Sequence, residues 1–319
     1  IMPSLVGSEM CIRDRTGTDH PDITVTDSLG EHDVARARLM VDGAAAADGI
    51  SPLSEQAVAA IDAAAGSGVR HVISAAGYAN ISPGRGDEPA MIEAVVDPQL
   101  RRRGHGRALL TTAFGEAERA GDARVWAHGD LPGAQALAAS MGLVRRRELL
   151  QLRRGLGTGA PALPELIVDD SVRLRTYAGS ADDAEILRVN NAAFDWHPEQ
   201  GGWGAEQIAE RVGAAWFDPE GLFLAFDAAN PERLLGFHWT KQHDTELGEV
   251  YIVGVDPAAQ GRGLGRLLTL AGLHHLAATG RSEVNLYVEG DNTAALHTYE
   301  RLGFGRYAID VAYGRPEGD

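Results

Sequence analysis

Cysteine and lysine are almost missing from this sequence of 319 residues. Cys11 is the only cysteine, which excludes an intramolecular disulfide and any zinc or iron–sulfur site built from several thiolates. This cysteine usage is typical of a reducing compartment. Lys241 is the only lysine among 29 basic residues. Because an ammonium and a guanidinium bind differently, Lys241 is a candidate for a role that needs an amine, with chance survival as the alternative.

Long hydrophobic runs are missing as well. No apolar stretch approaches the roughly 20 residues that cross a bilayer, so we expect neither a membrane-spanning helix nor a membrane partner. Acidic residues outnumber basic ones by 45 to 29, a formal charge of −16, and a field of that sign repels nucleic acid. The hydrophobic fraction of 44% is ordinary for a globular protein, and the length predicts two domains.

The beginning of the sequence does not read as part of a fold. Residues 1–15 have neither helical nor strand periodicity. Their only apolar stretch is short, is followed by charged residues and lacks a small-residue cleavage site, unlike a signal peptide. We interpret residues 1–18 as a disordered leader that is not native. Without an export signal we expect a cytoplasmic location.

The two halves of the sequence repeat each other. Val96-Asp97-Pro98 recurs as Val255-Asp256-Pro257, and at the same offset Arg101-x-x-Gly104-x-Gly106 recurs as Gln260-x-x-Gly263-x-Gly265. Landmarks that repeat in the same order indicate a duplicated domain. A glycine- and proline-rich stretch separates the copies. We therefore predict an N-terminal domain at 19–155, a linker at 156–170 and a C-terminal domain at 171–319.

The hydrophobic pattern of each copy predicts an α/β order, which is clearest in the second copy. Two helices (185–194 and 207–215) and three strands (222–226, 234–239 and 249–255) are expected before a glycine-rich turn. An apolar helix (264–278), a strand (284–288) and a helix (293–302) follow the turn. These elements place the turn directly between a strand and a helix.

The glycine-rich turn is a candidate anion site. Glycines let the backbone approach a ligand, and a helix that begins directly after the turn offers free N–H groups and the positive end of its dipole. The spacing does not match the phosphate loop of nucleotide-binding proteins, since no Gly-Lys-Ser/Thr follows, and it is not Gly-x-Gly-x-x-Gly.

Three motifs of the second half together resemble the GCN5-related N-acetyltransferase (GNAT) family. They are Val253-x-Val255-x-Pro257, the turn Gln260-x-x-Gly263-x-Gly265, and Asn292-x-x-Ala295-x-x-x-Tyr299-x-x-x-Gly303-Phe304. The resemblance implies two tandem GNAT domains, each a mixed, mostly antiparallel central sheet flanked by helices. It also implies acetyl-CoA as co-substrate, no metal, and direct attack of a free amine on the thioester.

The same resemblance assigns acetyl-CoA contacts to a strand end, the turn and a helix start. In the second half these residues are Val253, Gly254, Val255, Gln260, Gly261, Arg262, Gly263, Leu264, Gly265, Arg266, Asn292, Thr293, Ala294, Ala295, Leu296 and His297. In the first half they are Ala94, Val95, Val96, Arg101, Arg102, Arg103, Gly104, His105 and Gly106. For the three arginines, a solvated turn is the alternative.

The tandem arrangement resembles family members that acetylate the cysteinyl amine of a cysteine–glucosamine–inositol conjugate. The segments 126–129, 194–203 and 286–289 carry this narrower resemblance. It assigns substrate contacts to Glu55, Glu199, Lys241, Glu249 and Tyr287. Carboxylates suit a polyol because they accept hydrogen bonds from several hydroxyls. For Glu55, an exposed carboxylate at a helix start is the alternative.

Glu249 and Tyr299 are the candidate base and acid. An α-amino group titrates at about pH 8, so a mild base is enough. Strand alternation places Glu249 on one face with Tyr251, Val253 and Val255. The resemblance makes Glu249 the base and gives Tyr299 the task of protonating the coenzyme thiolate, while backbone N–H groups near Val255 would stabilise the oxyanion. A solvated strand end and a core aromatic are the respective alternatives.

The first half is expected to hold coenzyme without catalysing transfer. Alignment of the copies places Ala90 opposite Glu249 and Ala138 opposite Tyr299, so both base and acid are replaced. The leading hypothesis is a monomeric enzyme that acetylates the cysteinyl conjugate. The alternatives are acetyl transfer to another small amine or a protein N-terminus, and a non-catalytic acyl-CoA sensor.

Overall fold

The computed structural model describes residues 23–84, 88–195 and 200–316, which form two compact units. Unit 1 consists of the described residues up to Arg147 together with those from Asp310 onward, and unit 2 consists of Glu148–Ile309. Residues 1–18, interpreted as a leader, lie outside the described residues. Each unit is a mixed, mostly antiparallel sheet with helices packed on it, so the predicted tandem fold is confirmed.

Secondary structure follows the predicted order in both halves. The first half contains β1 (Thr24–Thr26), α1 (Glu31–Asp48), α2 (Glu55–Ala59), β2 (Arg70–Ile73), β3 (Gly77–Ser82), β4 (Ala90–Val96), α3 (His105–Ala117), β5 (Ala123–Ala127), α4 (Pro132–Ser140) and β6 (Val144–Gly155). The second half contains β7 (Val172–Thr176), α5 (Asp183–Ala193), α6 (Ala205–Val212), β8 (Leu222–Asp227), β9 (Leu234–Gln242), β10 (Leu247–Val255), α7 (Leu264–Ala278), β11 (Glu283–Glu289), α8 (Thr293–Arg301) and β12 (Gly305–Gly314). Helix α7 has the predicted bounds. Its apolar sequence begins directly after the glycine turn and ends at Ala278, two residues before Gly280.

The two sheets have the same strand pattern. In unit 1 the order is β1-β2-β3-β4-β5-β12, and in unit 2 it is β6-β11-β10-β9-β8-β7. Among the described strand pairs, β4/β5 and β10/β11 alone are parallel, and each of these pairs is bridged along the chain by one helix, α3 or α7. The remaining described pairs are antiparallel.

The units differ from the predicted domains at their edges, because the last strand of each half completes the sheet of the other half. Residues 149–155 of β6 pair with β11 in unit 2. Residues 311–314 of β12 pair with β5 in unit 1. The sequence repeat does not predict this exchange. A repeated motif indicates that a segment forms a strand, but not which of the two sheets that strand joins. The predicted linker also belongs to unit 2, where Leu156, Leu163 and Leu166 pack against the core.

The sheet of unit 2 is covered on both faces. On one face, leucines of α7 pack with Val250, Val284 and Leu286. On the other face, α5 and α6 contribute Ile186 and Ile208, which pack in one cluster with Trp239 of β9. Residues of β10 and β11 therefore point either toward α7 and α8 or toward α5 and α6.

A largely enclosed histidine, His128, whose side chain is 14% exposed, ties the returning strand β12 into unit 1. The His128 ring lies between two carboxylates, with Nε2 3.0 Å from Oε2 of Glu93 and Nδ1 3.3 Å from Oδ2 of Asp310. Burial by itself lowers the pKa of His128, but its hydrogen bonds to Asp310 and Glu93 outweigh burial and raise that pKa to about 9. The imidazolium therefore stabilises the fold at neutral pH.

Alkaline pH should weaken unit 1 through His128. The folded pKa of about 9 lies above the ordinary value of 6.5, so the stabilisation is complete below pH 6.5 and is lost as the pH rises through 9. A shift of this size corresponds to roughly 3 kcal/mol. Denaturant unfolding at several pH values, compared with His128→Gln, should show that the wild-type protein loses this much more stability than the variant on the alkaline side. Parallel curves for the two proteins would contradict the assignment.

Candidate active site

The parallel strands β10 and β11 part in the middle of the unit 2 sheet. They pair over three positions, from Leu247 with Glu283 to Glu249 with Asn285, although β10 continues to Val255 and β11 to Glu289. Beyond Glu249 the facing backbone N–H and C=O groups are not used by this ladder and can bond an extended amide-containing ligand. The opening thus begins at Glu249.

A β-bulge lies just inside the opening. Val250 pairs with Thr240 and Ile252 with Trp239, which leaves Tyr251 as an extra residue of β10. The extra residue inverts the alternation, so Val253 and Val255 face α7. The expectation that they share a face with Glu249 is therefore wrong. Tyr251 packs on the other face, in the cluster of α5 and α6.

Glu249 lies on the same face as Tyr251. Its direct cross-strand neighbour is Lys241 of β9, whose ammonium is 5.8 Å from the centre of the Tyr251 ring and 5.6 Å from that of Trp216. Glu249 is buried, with 7% of its surface exposed, and its Oε2 is 2.6 Å from Nε2 of His243. A buried carboxylate in contact with a ring nitrogen is not a solvated strand end.

Tyr287 extends this polar face along β11. It follows Asn285, the register partner of Glu249, by two residues and so points to the same side. Its ring is 45% exposed, and its hydroxyl accepts a hydrogen bond of 3.1 Å from Nε2 of Gln151 on β6. The structure thus brings together the predicted substrate residues Lys241, Glu249 and Tyr287 on one face of unit 2.

Of the other two predicted substrate residues, the structure describes only Glu55. Glu55 is the first residue of α2 in unit 1, directly after the cap Ser54, whose hydroxyl accepts from the N–H of Ala57. Its side chain is exposed, which agrees with the alternative interpretation of Glu55 as an exposed carboxylate at a helix start. Glu199 lies outside the described residues.

In unit 2, the motif predicted to bind the coenzyme is continuous. It leads from the opening between β10 and β11 into helix α7. Gly261 and Gly263 have φ angles of +78° and +76°, which favour glycine. The helix begins at Leu264, so the N–H groups of its first turn are free of intrahelical bonds. A cavity of about 360 Å³ lies at this turn, lined by Arg262 and Arg266 among others. Turn, helix start and arginines together favour an anionic ligand.

The second segment predicted to bind the coenzyme lies at the start of helix α8. The side chain of Asn292 caps this helix by accepting from the N–H of Ala295 at 3.1 Å. Tyr299, in the following turns, packs against the α7 core with its ring 5.7 Å from that of Phe304. Burial raises the pKa of Tyr299 to about 12, so its hydroxyl keeps its proton at neutral pH. Glu249 and Tyr299 therefore approach the sheet from opposite faces.

Unit 1 repeats the turn but not the candidate base and acid. Between the described strands β3 and β4 the register runs without a shift, and Ser82 faces Met91 where Lys241 faces Glu249. Alignment of Ala90 with Glu249 is therefore wrong by one residue, because the bulge adds a residue to β10. Met91 supplies no carboxylate, and Ala138 lies at the position of Tyr299 in α4.

The glycine turn of unit 1 has the same backbone conformation as the turn of unit 2, with strain at one non-glycine residue. Gly104 has a φ of +87°, and Arg102 has a φ of +64° where unit 2 has Gly261. Arg101 is held by both carboxylate oxygens of Asp48, at 2.8 and 2.7 Å. The Arg101 guanidinium is thus already paired with a carboxylate, whereas the neighbouring Arg102 and Arg103 are exposed.

In residues 23–84, 88–195 and 200–316, no three His, Cys, Asp or Glu side chains are grouped so as to hold a metal ion. Over the same part of the chain, every helix is too short or too polar to cross a membrane.

Comparison with known proteins agrees with the geometry. The family model described as "Acetyltransferase (GNAT) family" matches residues 57–143 and 188–304. A mycothiol acetyltransferase of Nocardia farcinica is 57% identical over 302 residues, which cover 92% of this chain and 98% of that protein. One of Mycolicibacterium smegmatis is 53% identical over 287 residues, covering 88% of this chain and 94% of that protein.

Solved structures share the fold at low identity. A GCN5-related N-acetyltransferase from Sphaerobacter thermophilus has a TM-score of 0.71 at 20% identity, covering 95% of this chain and 98% of its own. A tandem GNAT protein from the clavulanic acid biosynthesis pathway has a TM-score of 0.67 at 21% identity, covering 93% of this chain and 100% of its own.

Proposed function

The chain belongs to the GNAT acetyltransferase family and is an acetyl-CoA-dependent N-acetyltransferase, and on that premise we propose that it acts as a mycothiol acetyltransferase. Its acceptor would be the cysteinyl amine of the cysteinyl–glucosaminyl–inositol conjugate. The shared name of its close full-length relatives supports this substrate. The observation that carries the mechanism is the buried carboxylate of Glu249 at the point where β10 and β11 part.

Acetyl-CoA would bind along the opening of unit 2. The coenzyme phosphates suit the turn from Gln260 to Arg266, where glycine backbone and the start of α7 offer N–H groups. The pantetheine amides suit the unpaired edges of the two strands, as an added strand does. The thioester would then lie near the bulge, where backbone N–H groups of β10 can stabilise the oxyanion.

Glu249 would act as the general base. It removes a proton from the attacking amine, directly or through a water molecule, while the nitrogen forms a bond to the thioester carbon. The neighbouring ammonium of Lys241 is a hydrogen-bond donor and suits sugar or inositol oxygens. It does not act as a nucleophile, because acetyl-lysine would be an amide that cannot pass its acetyl group to another amine.

Tyr299 would assist departure of the coenzyme thiolate. Its hydroxyl keeps its proton at neutral pH, since burial raises its pKa to about 12. It can therefore donate a hydrogen bond, and finally a proton, to the sulfur as the C–S bond breaks, and the tyrosinate would then regain a proton from water. Its place on α8, across the sheet from Glu249, separates the group that loses a proton from the group that gains one.

Lys241→Arg should raise the KM for the acceptor and leave the KM for acetyl-CoA unchanged. The charge is kept, but the planar guanidinium replaces a compact donor that lies between the Trp216 and Tyr251 rings. A lost hydrogen bond to a charged group costs roughly 1.5–3 kcal/mol, or about 10- to 100-fold in KM. Steady-state kinetics with each substrate varied would measure both constants.

A reverse exchange at an exposed position is the matched control for that prediction. Arg306→Lys on β12 should leave both KM values at the wild-type level. An unchanged acceptor KM in Lys241→Arg would remove Lys241 from the substrate site and leave its uniqueness as an accident of composition.

A turnover assay with several acceptors tests the proposed function. The loss of thioester absorbance suits this assay better than a thiol reagent, because the cysteinyl acceptor carries a thiol of its own. The conjugate should be acetylated with a far higher kcat/KM than cysteine amide, glucosamine or a peptide with a free N-terminus. Preference for another amine would favour the alternative acceptor, and binding of acetyl-CoA without turnover would favour a sensor.

The proposal further assigns substrate contacts to Glu55 and Glu199, coenzyme binding without catalysis to unit 1, and a monomeric state in the cytoplasm to the protein. Light scattering of the purified chain would measure the oligomeric state directly.

A further inference from the structure

We propose that His243 relays the proton that Glu249 takes from the amine, and so acts as a positioning and proton-transfer residue behind the base. This inference rests on the proposed role of Glu249. His243 lies in the hairpin between β9 and β10, outside every motif that the sequence offered.

The geometry suits a relay between the interior and water. Nε2 of His243 is 2.6 Å from Oε2 of Glu249, a short contact for a ring nitrogen and a carboxylate. The side chain of Glu249 is 9% exposed, whereas that of His243 is 24% exposed. His243 is itself fixed, since its backbone N–H donates to the carbonyl of Leu247 at 3.0 Å and closes the hairpin. The imidazole thus connects a buried carboxylate to solvent.

The reaction needs such a path. An ammonium acceptor and acetyl-CoA give an amide, free CoA thiol and one proton. The amine loses two protons in all, and the departing thiolate regains one, so one proton must leave the site in each turnover. A buried carboxylate that kept this proton could not act again. Protonated Glu249 would pass it to the Nε2 lone pair of the Nδ1–H tautomer of His243, and the imidazolium would release its Nδ1 proton to water. Proton exchange between the partly exposed ring and water would then restore the Nδ1–H tautomer for the next turnover.

The charged groups around the pair fit this direction of transfer. Lys241 lies directly opposite Glu249 on β9, so a positively charged side chain neighbours the carboxylate that must accept the proton. Asn285 faces Glu249 from β11, is neutral, and has 3% of its surface exposed. Asp244 interacts electrostatically with His243 and with Arg281, whose side chain donates to the Asp244 carbonyl and to Oε1 of Gln242.

The test compares His243→Ala, Glu249→Gln and the double variant in full-length protein. His243→Ala should lower kcat roughly 10-fold, less than loss of the base itself, and leave the KM for acetyl-CoA unchanged. Added imidazole should restore activity in proportion to its free-base concentration, and more basic imidazoles should restore it better. The double variant should be no slower than Glu249→Gln and should not respond to imidazole, because His243 acts through Glu249.

Two further variants separate proton transfer from packing. His243→Gln keeps a side chain that can hydrogen-bond to Glu249 but cannot carry a proton, so it should lose as much activity as His243→Ala. His275→Ala removes another partly buried histidine of unit 2, which pairs with Asp218 at 2.9 Å. Any loss in that control should not respond to imidazole.

The outcomes distinguish the relay from the proposed function. Wild-type kcat in His243→Ala or His243→Gln, a loss that imidazole does not restore, or additive losses in the double variant would each overturn the relay. Undiminished turnover in Glu249→Gln would instead overturn the role of Glu249, and with it the proposed mechanism.

Discussion

Glu249→Gln should lower kcat by roughly 10²–10⁴-fold at pH 7, the usual contribution of a general base. The amide keeps the size and hydrogen-bonding capacity of the side chain but cannot accept the amine proton. The deficit should shrink as the pH rises above about 8, because the free amine then forms without assistance. A pH–rate profile of kcat for the variant and the wild-type protein would show both effects.

A carboxylate outside the site provides the control for this prediction. Glu246 lies in the β9–β10 hairpin, is exposed, and its carboxylate accepts from the Ser282 hydroxyl at 2.5 Å. Glu246→Gln should therefore keep the wild-type rate. A folded Glu249→Gln protein with an unchanged rate at pH 7 would show that another group, or water alone, takes the proton.

Tyr299→Phe should lower kcat by roughly 10²-fold, with little change in stability. The ring and its contact with Phe304 remain, and only the hydroxyl that meets the departing sulfur is lost. Because burial raises the pKa of Tyr299 to about 12, ionisation of this group should not lower the wild-type rate anywhere below pH 10. Steady-state kinetics across this range and thermal unfolding of both proteins would test the two statements.

A second tyrosine serves as the control. Tyr307 on β12 is 58% exposed, and the Arg153 guanidinium lies 3.6 Å from its ring centre. Tyr307→Phe should leave kcat unchanged. If Tyr299→Phe matched that control, Tyr299 would be a core aromatic, and the thiolate would leave without its help.

The sequence predicts local features of this protein well. The bounds of α7 follow from an apolar stretch that begins at a glycine turn, and the same turn predicts the site for an anionic ligand. The repeat predicts two units of one fold, which the sheet orders confirm. All of these follow from signals within a few residues or from direct comparison of the two halves.

Features that depend on strand pairing were beyond the sequence. The hydrophobic pattern of β10 does not indicate the bulge at Tyr251. The bulge nevertheless turns Val253 and Val255 to the sheet face opposite Glu249, and it shifts the alignment of unit 1 with unit 2 by one residue. Gln151 reaches Tyr287 only because β6 joins the sheet of the other half. The role proposed for His243 depends on its contact with the carboxylate of Glu249 across the hairpin. In the sequence, an isolated histidine in a polar loop does not indicate this contact.

The most direct measurement is identification of the product. The purified chain would be incubated with acetyl-CoA carrying a labelled acetyl group and the cysteinyl–glucosaminyl–inositol conjugate, and the product analysed by NMR and mass spectrometry. We expect one amide on the cysteinyl nitrogen for each thioester consumed, and almost none with Glu249→Gln. Label on the cysteinyl sulfur or a sugar hydroxyl, or thioester consumption without an amide product, would contradict N-acetylation of this acceptor at the Glu249 site.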